Sequence, residues 1–295
     1  MKNVLLCLLF LLIFSCEKAS PVFDLQGHRG ARGMYPENSI PGFIYAIDQG
    51  VNTLELDLCV TKDHQLVVSH EPVISAEICF DTTENAIPDS LQMEYNIFKM
   101  TYDEVRQFDC GSKGHHRFPN QTKISVNKPL LTDVIDTIAH YLKKKKKQSI
   151  NYNIEIKSKE KFDSLFHPSP KVFSDLVYHH IDQKLNWENV TIQSFDFRVL
   201  QYIHETYPHV RLALLIENDL EIKENIDSLG FTPDIYSCYY VLLSQKSVDK
   251  CHQLGMKVVP WTVNDAETMK RLISWELDGL ITDYPNIFKD SVETM

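Results

Sequence analysis

At 295 residues, with 43 % hydrophobic and 24 % charged side chains, the chain has the composition of a globular protein, one large domain or two, and not of a disordered polymer. Its net charge of −10 argues against nucleic acid as a partner, because a polyanion needs a basic face to bind. A small phosphate can still bind an acidic protein where local Arg, Lys or a metal ion receives it.

The chain opens on Lys2 and an apolar run over residues 4–14, followed by Ser15-Cys16 and a polar stretch. The run is too short to span a bilayer and fits the core of a signal peptide, residues 1–15. Ile13-Phe14-Ser15-Cys16 resembles a bacterial lipoprotein signal, with Phe14 where a small residue is usual. That resemblance implies cleavage before Cys16, a lipid on its sulfur, and a protein of the bacterial periplasm or cell envelope. Membrane contact is then expected only through this anchor; a plain secretory signal without lipid is the alternative. Residues 16–295 are expected to form a single domain. Five further cysteines, Cys59, Cys79, Cys110, Cys238 and Cys251, lack the C-x-x-C spacing of a zinc site. Buried free thiols are the expected state; Cys79 with Cys110, which bracket the least regular region, is the pair an exported protein would oxidise.

A short apolar run (Val22, Phe23, Leu25) leads into Q-G-H-R-G-A-R-G-M-Y-P-E-N, with His28 and Arg29 held between glycines. A polar, glycine-hinged loop leaving a buried strand is a usual place for chemistry in α/β enzymes. Ile40, Phe43, Ile44 and Ile47 then mark a helix face, with Ser39 as N-cap and Gly50 as stop. Residues 53–60 alternate strictly: Leu54, Leu56 and Leu58 face one way, Glu55 and Asp57 the other. Residues 61–64 allow only a hairpin turn into a second strand over 65–69. This arm returns His70 beside Leu56 and Asp57. Residues 73–127 break the rhythm, apart from a capping box at Thr101-x-x-Glu104, and read as an excursion over the mouth of the fold.

Thr132 is expected to cap a helix whose lysine-rich end, residues 143–147, suits the helix dipole. Beyond it, strands over 150–157, 190–195, 212–216, 235–240, 258–263 and 279–282 alternate with helices. Excluding the arm, eight strands begin near residues 22, 53, 150, 190, 212, 235, 257 and 279, which predicts a (β/α)₈ barrel. A doubly wound sheet is the competing fold, weakened by the lack of a G-x-G-x-x-G turn.

A barrel gathers the residues at its C-terminal strand ends around one mouth. Those residues are His28, Arg29, Glu55, Asp57, His70, Glu155, Lys157, Ser194, Trp261, Asn264 and Asp283. Glu55, Asp57 and Glu155 form an oxygen-only set suited to Ca²⁺ or Mg²⁺. Two histidines supply acid and base, and Arg29 and Lys157 offer charge to phosphate oxygens. H-R-G-A-R-G-M-Y-P-E-N-S, L-E-L-D-L-C-V-T-K-D, V-V-S-H-E-P, I-E-I-K, S-F-D, W-T-V-N and D-G-L-I-T-D-Y-P together resemble the glycerophosphodiester phosphodiesterase family. The resemblance implies a TIM barrel, a divalent metal, and hydrolysis of small glycerophosphodiesters to glycerol 3-phosphate and an alcohol. It assigns catalysis to His28 and His70, metal ligation to Glu55, Asp57 and Glu155, and phosphate or substrate contacts to Arg29 and Lys157. Glu37 and Asn38 match the family's P-E-N segment, and Trp261 is grouped with the substrate contacts. Ser39, His64 and Glu71 stand where Thr, a turn Gly and Asp are common; His64 implies a different turn at the arm's tip. A lysophospholipase D or phosphoinositide-cleaving enzyme of the same barrel type is one alternative. It would need an apolar rim, for which Ile78, Phe80, Ile97, Phe98 and Met100 are the candidates. A non-catalytic surface binding protein is the other.

Overall fold

Eight parallel strands close into a (β/α)₈ barrel in the computed structural model, which describes residues 23–147 and 149–292. The expectations for the signal peptide and Cys16 lie outside the described residues. β1 (Asp24–Gly27) runs through the glycine-rich loop to α1 (Ile40–Asp48). β2 (Thr53–Val60) turns back into the arm, β3 (Leu66–Val68), and the excursion holds two single-turn 3₁₀ helices, Gln92–Glu94 and Ile97–Lys99, and one short α-helix, α2 (Tyr102–Val105). Then come α3 (Leu131–Lys145), β4 (Asn151–Ile156), α4 (Pro170–Asp182), β5 (Val190–Ser194), α5 (Phe197–Thr206), β6 (Arg211–Ile216) and α6 (Ile222–Leu229). β7 (Ile235–Cys238), α7 (Gln245–Gln253), β8 (Lys257–Val258), α8 (Ala266–Ile273), β9 (Gly279–Thr282) and α9 (Pro285–Ser291) complete the chain. The strands neighbour one another in the order β8, β7, β6, β5, β4, β2, β1, β9, and β3 pairs antiparallel with β2.

Closure between the last two strands runs through backbone bonds rather than a regular ladder. Asp278 N donates to Val258 O (3.2 Å), Ile281 N to Pro260 O (2.9 Å) and Val263 N to Ile281 O (2.9 Å). The strand expected over 258–263 shrinks to two residues because Pro260 has no N–H to offer a ladder. Three other boundaries also differ from expectation. α3 starts at Leu131, with Leu130 rather than Thr132 at the cap position, because Leu131 is itself buried in the core. α4 and α9 were not anticipated, although Ser169 caps α4, Pro170 opens it, and Phe173, Val177 and Ile181 repeat every four residues along its buried face.

The alternation in β2 does its work here. Leu54, Leu56 and Leu58 pack outward into the main core, and Glu55 and Asp57 are left on the barrel's interior side, fully buried. The interior is polar along its axis: Gln26 bonds Asn153 (2.8 Å), Asn153 bonds Gln193 (2.9 Å), and Gln193 bonds Glu55 (2.8 Å). Buried polar groups are tolerated when they find partners; in this chain of side chains Asn153 Oδ1 is left without one.

The excursion folds on the arm, whose two faces serve two cores. Leu66 and Val68 enter the main core; Val67 joins Cys59, Ile74, Ile78, Cys79, Ile97, Val105, Phe108 and Cys110 in a second one. Ile97 is buried, and Phe98 and Met100 pack against the cores, so these three do not form an exposed rim; Ile78 is buried but lines the mouth, and Phe80 is half-buried. The expectation of free thiols is corrected at one pair: Cys79 and Cys110 are disulfide-bonded, while Cys59, Cys238 and Cys251 are free and buried. Few regular backbone bonds hold this segment, so a cross-link closing 31 residues of chain restricts its unfolded ensemble strongly. Replacing both cysteines by serine is expected to cost about 3–4 kcal/mol, read from urea unfolding. A midpoint that ignores reductant would show that the bridge contributes nothing.

Candidate functional site

The loop after β1 is shaped by contacts that leave no room for other residues. A Cβ on Gly27 would lie 2.2 Å from Gly30 O, and Gly30 itself adopts φ +85°. Arg29 (φ +50°) and Asn38 (φ +54°) are also left-handed, and Asn38 N bonds Arg29 O (2.9 Å), which folds the P-E-N segment back over the His-Arg pair. His28 is thereby aimed into the mouth with Nδ1 on Asp283 Oδ1 at 2.7 Å. Asp283 is gripped in turn by Arg32, through Nε (2.9 Å) and Nη2 (3.1 Å), and by Asn264 Nδ2 (2.8 Å). Burial alone would raise Asp283, but His28 and Arg32 hold it far below the usual carboxylate range. Burial pulls the His28 imidazole down to about 4, against the opposing pull of Asp283. The ring is therefore neutral at neutral pH, with Nδ1 tied down and Nε2 left for chemistry.

The second histidine arrives by register. Leu58 faces Val68 across the hairpin, Ser69 N bonds Asp57 O (2.9 Å), and the next residue is His70. Its Nδ1 meets Glu71 Oε1 at 2.7 Å, so the residue that departs from the family's usual Asp makes the same kind of contact that Asp283 makes to His28. Burial lowers His70 first, and the Lys157 and Arg29 charges lower it further. The two pairs differ in setting: the His28 and Asp283 side chains are 11 % and 1 % exposed, those of His70 and Glu71 27 % and 48 %. At the arm's tip, His64 adopts φ +59°, the left-handed conformation glycine favours.

Glu55, Asp57 and Glu155 bring carboxylate oxygens within 4.8 Å of one another, all three buried. Each is oriented from behind. Glu55 accepts from Arg29 N and Gln193 Nε2 (both 2.8 Å), Asp57 from Asn38 Nδ2 (2.8 Å), and Glu155 from Lys157 Nζ (2.9 Å). Burial and the neighbouring Asp57 charge raise Glu55 well above its ordinary value, and burial lifts Glu155 to about 7 despite Lys157. Asp57 would also rise on burial, but Lys157 and Arg29 hold it well below the carboxylate range. Three buried acids that repel one another are a donor set that a divalent cation would relieve, and all-oxygen ligation suits a hard ion. The residues fit such an ion.

His28, Arg29, Glu37, Glu55, His70, Glu155, Lys157 and Trp261 all line one cavity of about 550 Å³. Arg29 is paired with Glu37 (3.1 Å) and approaches Asp57 (3.4 Å); its Nε is buried without a hydrogen-bond partner. Lys157 bridges Glu155 and Asp57 (3.3 Å). Asn38 is not on the cavity wall: its amide is committed to Asp57 from behind. Trp261 stands on the wall edge-on to Phe195, with its indole N–H on Ser237 O (3.0 Å). Ser194 turns away, bonding Ile156 O (2.9 Å), and β5 offers Gln193 to the interior instead. Sequence reasoning passed over Gln193, Arg32 and the partner role of Glu71. Gln193 shares its strand face with Thr191, which alternation could have flagged; nothing local marked Arg32 as the clamp on Asp283.

Fold and site together place the chain among the barrel phosphodiesterases. It belongs to the Glycerophosphoryl diester phosphodiesterase family, whose pattern residues 28–287 match. The glycerophosphodiester phosphodiesterase of Bacillus subtilis is 28 % identical over 88 % of this chain and 83 % of its own. A crystal structure from Silicibacter pomeroyi, provisionally described as a glycerophosphoryl diester phosphodiesterase, superposes with a TM-score of 0.80 at 26 % identity, covering 90 % of this chain and 92 % of the other. A rat lysophospholipase D is 25 % identical over 91 % of this chain and 85 % of its own.

Proposed function

We propose that the protein hydrolyses small, soluble glycerophosphodiesters to glycerol 3-phosphate and an alcohol. The observation that carries this reading is the convergence on one cavity of His28 and His70, each paired with a carboxylate, and of Glu55 and Glu155 from the buried three-carboxylate cluster they form with Asp57. Glu55, Asp57 and Glu155 would hold Ca²⁺ or Mg²⁺, which when bound draws charge from a phosphate oxygen. Arg29 and Lys157 place positive charge where the non-bridging oxygens gain it. One imidazole takes the proton of the attacking hydroxyl, from water or from the glycerol hydroxyl next to the phosphate. The other, in its protonated form, gives a proton to the alkoxide as its P–O bond breaks. Glu37, held down to about 2 mainly by Arg29 against the cost of burial, fixes the guanidinium, and Asn38 fixes Asp57.

The lipid-directed alternative loses support from the packing of Ile97, Phe98 and Met100 into the protein. A turnover screen decides: glycerophosphocholine, glycerophosphoethanolamine and glycerophosphoinositol should outpace lysophosphatidylcholine with Ca²⁺ or Mg²⁺ present. Faster turnover of the lysolipid would replace this reading with the alternative. Export through a lipoprotein-type signal is part of the proposal, and the Cys79–Cys110 bridge supports it, since disulfides persist in oxidising compartments.

Asp283 acts through His28 and Arg32, as a positioning residue. Asp283→Asn keeps the shape but removes the charge that raises His28, so turnover should fall by about 10²–10⁴-fold. The imidazole should also titrate lower, moving the acid limb of the pH profile to lower pH. A fall in turnover with an unmoved acid limb would indicate mere structural damage.

A further inference from the structure

We propose a second cation site, on the excursion, formed by Glu77, His115 and His116 and suited to a borderline transition metal of the Zn²⁺ class. One ligand atom from each lies within 4.8 Å of the others. Glu77 Oε1 stands 3.1 Å from His116 Nδ1 and 3.4 Å from His115 Nδ1. Two imidazoles and one carboxylate are the ligand types that zinc takes with a fourth position left open. That chemistry separates this cluster from the oxygen-only triad, which favours hard ions.

The arrangement is held by packing rather than by chance proximity on a surface. His115 has a side chain only 2 % exposed, set edge-on against Phe118 at 4.8 Å, and Phe118 lies beneath the Arg32 guanidinium. The two legs that carry the ligands are joined by the Cys79–Cys110 bridge. The charges facing the site are those of Glu77, Glu37, Arg117 and Arg32, with Lys113 on the same loop. Arg117 Nε lies 3.8 Å from Glu77, its backbone N–H touches His115 Nδ1 (3.3 Å), and Lys113 Nζ donates to Ala76 O. An entering metal displaces the Arg117 side chain from Glu77 and from His115 Nε2 (3.4 Å); that side chain is 55 % exposed and has room to swing outward, and the ion must also replace the long backbone contact to His115 Nδ1.

Glu77 and His115 also line the catalytic cavity, so the ion would pin the excursion at the edge of the mouth. The test is zinc retention by the mature protein dialysed against ZnCl₂ with Ca²⁺ in excess, with metal content measured per chain. Wild type should retain one equivalent that the Asp57→Asn variant also retains and that His116→Ala and Glu77→Gln lose. Cobalt(II) in its place should give visible bands of a four-coordinate site, absent in His116→Ala. Saturating zinc should raise the melting temperature of wild type by about 5 °C more than that of His116→Ala. His116 is 75 % exposed, so its replacement leaves folding intact, and its Ca²⁺- or Mg²⁺-supported turnover should match wild type. Failure of wild type to hold zinc, or equal retention by His116→Ala, would overturn the assignment.

Discussion

His28→Ala and His70→Ala are each expected to lower turnover of glycerophosphodiesters by about 10²–10⁴-fold. The reason is a division of labour across one displacement. An oxygen nucleophile must lose a proton and an alkoxide must gain one, and the cavity offers two imidazoles, each braced by a carboxylate. Because the groups act as a unit, the double variant should be little slower than the worse single one. Substrate affinity should change far less, since Arg29 and Lys157 remain. Single-turnover kinetics with wild-type-like turnover in either variant would refute the two-histidine scheme.

Chelation is the second large effect. EDTA should abolish turnover, with Ca²⁺ or Mg²⁺ restoring it, and Glu155→Gln should weaken divalent binding enough that add-back fails. The metal-stripped protein supplies a separate readout. Glu155 has a folded pKa of about 7, above its ordinary 4.5, so the folded state holds its proton more tightly than the unfolded one. Its contribution to stability is complete below pH 4.5 and is lost as pH rises through 7. Glu155→Gln carries no charge to lose, so stripped variant should melt higher than stripped wild type above pH 7 while being inactive. A stripped variant that melts lower would mean the carboxylates do not oppose one another.

Much of this was legible from the sequence because the barrel writes itself as a rhythm. The start of β2 at Thr53 and the span of β9, Gly279–Thr282, follow directly from alternation and turn residues. The hairpin argument returned His70 to the mouth because a four-residue link permits no other topology. Where local pattern was outweighed, the reading slipped. Pro260 cut a strand short by withholding one N–H, and Leu131 drew the start of α3 two residues forward. Ser194 and Gln193 are adjacent, and only knowing which face of β5 is interior decides which reaches the site. Links such as His28 to Asp283, 255 residues apart, exist only once the barrel closes.

The barrel's polarity bears on where the enzyme works. Phe23 and Asp24 lie with Asn52, Asn151, Arg211 and Lys257 at the floor, the end opposite the catalytic mouth. A lipid on Cys16 would leave seven residues of chain to Phe23, a reach of at most about 25 Å. So short a leash, attached at the floor, would turn the working end outward from the anchoring bilayer. An enzyme mounted this way meets diesters that diffuse to it from solution, and its own membrane is the surface it is least able to attack.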